Sequence, residues 1–556
     1  MPRVSQAADG WRESAPWRYG APVKRPWKAI VSGGVLAVLA VLACSPRAGA
    51  PQAGAPQANA RRELWFYQSA NLADDRTVDA AVAIWRRAAA AGYQRVVLAD
   101  ARFARLAEQG PAYFAHVARL RALADSLRLE IVPGVCTVGR ENNALLEVDP
   151  NLAEALPVRN ALFEVTGGIA RLVPDPPVAL GAHPNALRAP ARLDGDALVL
   201  PCADPGEQAL FEIDVSPWRC YHVSADVAGE GFRGEARLRV TGDGRELAFA
   251  AIAAPRSADF ERRDVVFNSQ ACRHVTLAFS HSRDARGALR WRNWRIEEAG
   301  PVNLVRRPGL AFRFAGLEEG RDFEPVRDSL MGRSPYRGQF DVWHEPPVIH
   351  VHRPDGTRLR ADWHEAAVIL RGQVACCLSD TTVLRLERDE IARVRAMFGA
   401  RTLLLMHDEV RALGGDSTCL ATGHTPGRIL ADHVRALRAA AGDAHICVWN
   451  DMFDPFHNAV PNYYLVQGDL AGSWDGLDRN VTVINWNSEH TAASLGFFAG
   501  KGMAQVWGGY YDGPPDGIRE VLPLLDRTPN VVAILYATWQ NRYDDLEAFA
   551  RAARGP

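Results

Sequence analysis

The chain has 556 residues, 64 Lys and Arg against 65 Asp and Glu, a net charge of −1, and 48% hydrophobic and 23% charged residues. That balance describes a globular chain with room for more than one domain. It gives no electrostatic reason to expect nucleic acid or an acidic polymer as partner. Near the N-terminus, Lys24, Arg25 and Lys28 precede an apolar run from Val35 to Ala43 that stops at Cys44. A basic segment before a short apolar one predicts an export signal over 1–44, and the run is too short to span a bilayer comfortably. Residues 45–60 are rich in Pro, Ala, Gly and Gln without apolar periodicity, and read as a flexible tether.

From Glu63 strands and helices alternate. Leu64–Tyr67, Arg95–Asp100 and Leu129–Gly134 are strand patterns. Between them lie a helix with Val78, Val82, Ile84 and Trp85 on one side, and a second helix from Tyr113 to Leu127. The alternation stops over 163–300. Short period-two runs replace it there, among them Ala209–Val215, Tyr221–Val227, Ala236–Val240, His274–Phe279 and Leu289–Ile296, and predict an inserted β-sandwich. Trp291 and Trp294 in the last run fit either the sandwich core or a sugar-stacking platform. Residues 301–372 read as an irregular connection with one strand at Arg358–Trp363.

Alternation resumes in 373–556. Helix Val383–Phe398 leads into the apolar strand Leu403–Met406. Further strands follow at His445–Asp451, Val481–Asn487, Met503–Trp507 and Val531–Tyr536. Joined across the insert, segments 61–162 and 373–556 supply about eight βα units, the number that closes a TIM barrel. The predicted class is therefore α/β, a (β/α)8 barrel interrupted by a β-sandwich. A doubly wound open sheet is the alternative, but no Gly-rich phosphate loop opens any of the helices.

In a barrel the strand ends converge on one face. Here they carry Asn71, Asp100, His407-Asp408-Glu409, Trp449-Asn450-Asp451, Trp486, Tyr510-Tyr511-Asp512 and Trp539. Adjacent carboxylates crowded at such a face push their pKa values apart, so that one stays protonated while the other ionises. Aromatic walls around carboxylates suit a sugar, whose C–H faces stack and whose hydroxyls hydrogen-bond. Setting Cys44 aside, eight of the nine cysteines remain, without a Cys-x-x-Cys pair or spaced His cluster. No metal and no cofactor is expected from that pattern.

Two resemblances follow from these residues. Val41-Leu-Ala-Cys44 resembles a bacterial lipobox, which implies lipidation at Cys44 and an envelope lipoprotein held to a membrane by its acyl chains; a plain signal cleaved after Ala48-Gly-Ala50 is the alternative. The barrel half resembles family 20 glycoside hydrolases, the β-N-acetylhexosaminidases. Glu130-Ile-Val-Pro-Gly134 is similar to that family's third strand. Helix Val383–Phe398 followed by Leu405-Met-His-Asp-Glu-Val410 is similar to its helix and catalytic strand. Trp449-Asn-Asp451 and Trp539 fall where the family has strand-end tryptophans. The chain is also similar to exported bacterial proteins carrying Trp-Asn-Asp-Met-Phe-Asp-Pro and Gly-Tyr-Tyr-Asp segments.

The family resemblance implies that Glu409 is the general acid/base and that Asp408 orients a substrate 2-acetamido group acting as internal nucleophile. A tyrosine steadying that group is Tyr464 or Tyr510. His407, Trp449, Asp451, Trp486, Asp512 and Trp539 are the remaining expected substrate contacts. The chain departs from the family in lacking Gly-Gly before Asp-Glu, in lacking a first-strand arginine, and in the size of its insert. Two other readings stay open. One is a glycosidase using Asp451 or Glu489 as nucleophile, and the other is a surface lipoprotein that binds glycan without cleaving it.

Overall fold

The computed structural model describes residues 62–555, apart from 140–142, 203–205, 254–258, 335 and 370–371. The export segment, Cys44 and the tether 45–60 lie outside the described residues. Eight parallel strands close a barrel in chain order. They are β1 (Glu63–Ser69), β2 (Arg95–Ala99), β3 (Glu130–Val135), β4 (Thr402–Leu405), β5 (His445–Trp449), β6 (Val481–Asn485), β7 (Ala504–Tyr510) and β8 (Val531–Ala537). Closure is made by β8 against β1, with Tyr536 opposite Phe66.

The strands are apolar throughout because both faces are covered. Trp65, Tyr67, Val97, Val132, Leu404, Cys447, Ile484 and Leu535 fill the barrel interior. Their neighbours Leu64, Phe66, Val96, Leu98, Leu403 and Leu405 pack outward in the larger helix-side core. Successive side chains of a strand point to opposite faces, so two-sided burial requires unbroken apolar runs. Each such side chain contributes about 1.5–3 kcal/mol on burial. Helix Thr381–Phe398, which feeds β4, starts where the Asp380 carboxylate accepts from the Thr382 N–H and ends at Gly399, whose φ of 61° suits glycine. Among the described residues the β5–β6 connection has no α-helix. The short 3₁₀ turns Asp451–Phe453 and Ser473–Gly476 stand in its place.

The insert is nested, which corrects the expected boundaries. Strand Ala155–Thr166 pairs antiparallel with Arg358–Ala366 in a five-stranded sheet of its own, completed by Ile169–Leu172, Arg313–Phe314 and Ile349–His350. Phe163, Phe312, Phe314 and Trp363 form that sheet's core. Phe163 onward is thus not sandwich, and 301–372 is not merely a connection. The sandwich proper has two five-stranded antiparallel sheets between Ala186 and Glu298 around Phe211, Tyr221, Phe279 and Trp291. The expected strand Arg358–Trp363 is present. Its partner was invisible because Phe163 and Leu359, opposite each other in the ladder, are far apart in sequence. Trp291 is fully buried, and Trp294 packs on Phe211 while its Nε1 donates to Gly181 O at 3.0 Å. Neither offers a free sugar platform.

Arg219 joins the sandwich to the third sheet. Its Nη1 meets Glu298 Oε1 at 2.6 Å, with the side chains 6% and 2% exposed. Its Nε donates to Arg159 O at 2.8 Å and its Nη2 to Asn160 O at 2.6 Å. Removing one partner of a buried pair strands the other charge, which costs about 3–5 kcal/mol. Glu298→Ala is therefore expected to lower the unfolding free energy from urea titration by that much, and Glu298→Gln, which keeps an acceptor for the guanidinium, by less. Equal losses in urea titrations of the two variants contradict a charge-based seam.

Candidate active site

The site grows from the turn that follows β4. Strand alternation sends Met406 into the barrel interior and His407 outward beneath the helices. His407 is fully buried, and its Nε2 lies 3.1 Å from His433 Nδ1. His433 Nε2 in turn lies 2.8 Å from Glu387 Oε2, on the inner face of helix Thr381–Phe398. Burial, with His433 adding to it, holds the His407 pKa well below its usual range. His407 therefore buttresses the turn from behind, and its expected role as a substrate contact is corrected by that burial. One turn along the same helix, burial pushes the Glu390 carboxyl up to about 8, while its Oε1 accepts from Cys136 N at 3.2 Å.

Asp408 is half-buried. The loop after β3 presses against its backbone so closely that a Cβ on Gly139 would lie 1.8 Å from Asp408 O. Glu409 takes a left-handed conformation, φ 50°, and its N–H donates to Asp451 Oδ2 at 2.8 Å. Its Oε1 lies 2.9 Å from Arg411 Nη2, the two side chains being 5% and 10% exposed. Arg411 also donates to Gln373 Oε1 and lies over the Tyr464 ring, 5.0 Å from its centroid.

Asp451, immediately after β5, is fully buried. Besides the Glu409 N–H it accepts from Asn458 Nδ2 at 2.9 Å and from Trp486 Nε1 at 3.3 Å. Burial raises its pKa first and the charge of Glu409 adds to that, against the opposing pull of these donors, to about 7. The Asp451 carboxyl therefore still carries its proton to a large extent as pH approaches neutrality.

Aromatic rings from five strand ends surround Glu409 and Asp451. Tyr67 lies 6.1 Å from Trp449 and 5.9 Å from Trp539, centroid to centroid. Trp539 also lies 6.3 Å from Trp449 and 6.5 Å from Trp486, and stacks on Tyr511 at 5.9 Å and 12°. At 36% exposure Trp539 is the rim of this cup. Asp512 fixes the rim, its Oδ2 accepting from Trp539 N at 2.9 Å and Gln540 N at 3.2 Å.

Tyr510 is not part of the cup. It stacks on Tyr536 at 4.1 Å and donates its hydroxyl to Asp545 Oδ2 at 2.8 Å, in the outer layer. Tyr511 takes the inward place instead. Tyr510, Tyr511 and Asp512 have φ of 80°, 44° and 63°, which ends the two-residue alternation on which the sequence reading relied. Gly508 permits this, since a Cβ there would lie 2.5 Å from the Tyr511 hydroxyl. Consecutive left-handed residues without glycine cost about 1–3 kcal/mol each and persist where the surroundings over-determine them. Tyr464 stands beside Arg411 in a loop that the sandwich braces. Arg245 Nη2 donates to Asn462 Oδ1 at 2.6 Å, and Gln467 Nε2 to Gln270 Oε1 at 3.0 Å.

Trp449, Asp451, Trp486, Tyr464, Asp408 and Glu409 thus come together with Trp539, while Asp512 supports them. Glu489 is exposed in the turn after β6. Tyr67, Arg411 and Asn458 were not foreseen, and Tyr511, expected at the mouth with its neighbours, was not singled out as a contact. The period of β1 places Tyr67 inward with Trp65, and Arg411 lies two residues from Glu409, so both had a signal. His433 and Glu387 had only the anomaly of polar residues on apolar helix faces. The finished site offers a buried carboxyl that holds its proton towards neutral pH, a second carboxyl group, a guanidinium and stacking surfaces, which together can hold and protonate a polyhydroxylated ligand.

No family model matches the chain, and no curated protein matches it. Among solved structures, a β-N-acetylhexosaminidase from Bacteroides fragilis is 13% identical with a TM-score of 0.25, over 34% of this chain and 42% of that one. The chitobiase of Flavobacterium johnsoniae is 12% identical with a TM-score of 0.24, over 33% and 30%. A carbohydrate-binding module of Cellvibrio mixtus lichenase 5A is 14% identical with a TM-score of 0.18, over 22% of this chain and 97% of that one. The chain thus spans less than half the length of the two hexosaminidases, and the functional reading rests on the site's own residues.

Asp451 makes the pH dependence of stability testable. The folded carboxyl titrates near 7 against an ordinary 3.8, so between those values the folded state holds a proton that the unfolded state has lost. Stability from this group is full below the lower value, falls as pH rises through the window, and is level above it. Asp451→Asn keeps the acceptor at the Oδ2 position, gives up the longer bond from Trp486, and removes the titration. Its melting temperature relative to wild type is expected to rise from pH 4 to about pH 7 and to level off above that. Parallel melting curves across that range contradict the raised value.

Proposed function

We propose that this chain is an exported glycoside hydrolase that cleaves N-acetylhexosamine-containing glycans by substrate-assisted, retaining catalysis. The observation that carries the reading is the Glu409 turn, hydrogen-bonded to the buried and proton-holding Asp451 carboxyl, inside an aromatic cup at the mouth of a closed barrel. Barrel enzymes work at that face, and sugars stack on such walls.

In this reading Glu409 protonates the glycosidic oxygen while the substrate's own acetamido oxygen attacks the anomeric carbon, expelling the leaving sugar. Water then opens the bicyclic intermediate on the opposite face, giving its proton to Glu409, and net configuration is retained. Asp408, half-buried on the same turn, aligns the acetamido group and stabilises the positive charge that develops on it. Asp451 stores the proton. Arg411 lies 2.9 Å from Glu409, and Asp451, raised to about 7, is the group on this turn that holds a proton for the acid step. Trp449, Trp486 and Trp539 supply stacking surface, and Tyr464 is the tyrosine on the Arg411 side of the site. Export and lipidation at Cys44 belong to the proposal on the strength of the N-terminal segment alone.

The Arg411 contact also favours a second reading, glycan binding without cleavage. A carboxylate tied to a guanidinium in a nearly buried pair is a poor proton donor. The two readings separate on an aryl N-acetylhexosaminide and its 2-hydroxy counterpart. For the hydrolase, only the acetamido substrate turns over, and Glu409→Gln reduces kcat by about 10²–10⁴-fold, less for good leaving groups. Asp408→Asn is expected to lower turnover of the acetamido substrate irrespective of leaving group. Glycan binding with no turnover of either substrate identifies the binding protein. Turnover of both substrates, with a trapped glycosyl-enzyme that Asp451→Asn abolishes, instead identifies a protein nucleophile.

A further inference from the structure

Beyond the cup, four side chains with no role in the proposed chemistry meet in a closed space at the root of the insert. They are Glu154, Cys377, Asp416 and Cys419, all buried, each offering one ligand atom within 4.8 Å of every other. Glu154 directly precedes strand Ala155–Thr166, where the chain leaves the barrel for the insert. Cys377 lies on the return, next to Cys376, which bridges Ala153 antiparallel. Asp416 and Cys419 belong to the segment that follows the Glu409 turn, where Asp416 Oδ1 accepts from Thr418 N at 2.8 Å and Cys419 N at 3.0 Å.

We propose that these four residues form a structural zinc site. Two Sγ atoms and two carboxylate oxygens are a tetrahedral donor set suited to Zn²⁺, which takes thiolate sulfur at about 2.3 Å and carboxylate oxygen at about 2.0–2.2 Å. A tetrahedron with those bond lengths has a sulfur–sulfur edge of about 3.8 Å and a sulfur–oxygen edge of about 3.5 Å. Cys377 Sγ lies 3.7 Å from Cys419 Sγ, and Cys419 Sγ lies 3.4 Å from Glu154 Oε2. Both measured edges match. The widest separation, 4.8 Å, exceeds a tetrahedral edge by about 1 Å, so ligation draws at least one side chain inward.

The outer shell is also that of a metal centre. Glu154 keeps its other oxygen for the Gly415 N–H, at 2.8 Å. Asp416 Oδ2 is held by Arg307, whose Nη1 is itself fixed by Asn151 O and Ala153 O at 2.7 Å each. Hydrogen bonds of this kind orient carboxylate ligands and tune the metal they hold. With both cysteines as thiolates the four ligands carry a formal −4, which one dication halves, and Arg307, shared between Asp416 and Asp380 (3.3 Å), offsets part of the rest. No Cys-x-x-Cys spacing announces the site because its donors come from three separated segments. A bound ion would join the exit of the insert, its return, and the segment that holds the Glu409 turn, and each depends on the others for position.

The test uses the full chain expressed with zinc in the medium and purified without chelator. Elemental analysis is expected to give about one zinc per chain. Co²⁺ in its place is expected to give intense thiolate-to-cobalt absorption in the near ultraviolet. Cys377→Ser with Cys419→Ser should abolish both signals. In case that variant does not fold, Arg307→Gln leaves every ligand intact and is expected to weaken zinc binding by about 10–100-fold, read by competition with a chromophoric chelator. A wild-type protein with no bound zinc, and no cobalt–thiolate absorption after reduction, overturns the proposal. So does a Cys377–Cys419 disulfide recovered in the native protein by non-reducing peptide mapping.

Discussion

One buried carboxyl group, that of Asp451, stands at the centre of this molecule. The Glu409 N–H donates to the Asp451 carboxylate, which ties the turn after β4 to the end of β5 and sets the left-handed backbone of Glu409. Asp451 then needs further donors, because a buried carboxylate left short of hydrogen bonds is unfavourable by several kcal/mol on the order of its desolvation. Asn458 and Trp486 provide them. Trp486 is positioned in its turn by its N–H, which donates to Asn450 Oδ1 at 3.0 Å, and Asn450 Nδ2 donates to Asp454 Oδ2 at 2.7 Å. Satisfying one buried carboxyl thus fixes a polar lattice extending from β4 to β6. The 3₁₀ turn Asp451–Phe453 that replaces a helix follows from the same demand. Its first residue must point back into the mouth rather than begin an outer helix.

The nested insert leaves barrel closure undisturbed for a geometric reason. Its exit and return meet at the Ala153–Cys376 bridge, so the chain re-enters the barrel where it left. β3 and β4 still pair, Leu404 opposite Gly134 and Leu405 opposite Val135. The connection between them lies at the carboxyl ends of the strands, where an insertion can reach the mouth. The sandwich uses that reach at Asn462 and Gln467, on the loop carrying Tyr464. An inserted module that braces a site loop acts on the site through the conformational entropy of the loop, without supplying a ligand contact of its own.

The barrel could be read from the sequence because two-sided burial writes unbroken apolar runs, and these depend on neighbours only a few residues away. What failed to show needed partners distant in the chain. Strand Ala155–Thr166 looked like the edge of a sandwich because its true partner, Arg358–Ala366, lies beyond the entire sandwich. Tyr510 was expected as a contact and Tyr511 was not singled out, since three positive φ angles in a row break the alternation that assigns faces. His407 sits beside the carboxylates in sequence but opposite them in space, for the plain reason that adjacent residues leave a strand on opposite sides. Glu387 and Glu390 lay on the predicted apolar face of helix Thr381–Phe398, where burial makes charge unexpected, and that conflict was the one local trace of the network behind the turn.

The contact that divides the functional readings is the one between Glu409 and Arg411. If the ion pair persists with substrate bound, the carboxylate cannot receive the proton stored on Asp451, and the cup can hold a sugar but not cleave it. The pair is nearly buried, so its stability depends on a medium of low dielectric and on the hydrogen bond from Arg411 to Gln373. A sugar entering the cup replaces water with hydroxyls and, in an N-acetylhexosamine, with an acetamido carbonyl. Any such acceptor that reaches the guanidinium competes with Glu409 for it. Losing that partner frees the Glu409 carboxyl, and Asp451, raised to about 7, is joined to it through the same turn. Substrate binding would then itself arm the acid, with the cost of breaking the ion pair offset by the new contacts to Arg411. On this logic Arg411, rather than the carboxylates, decides between a lectin-like cup and a hydrolase, because both readings place the same acidic groups in the same positions.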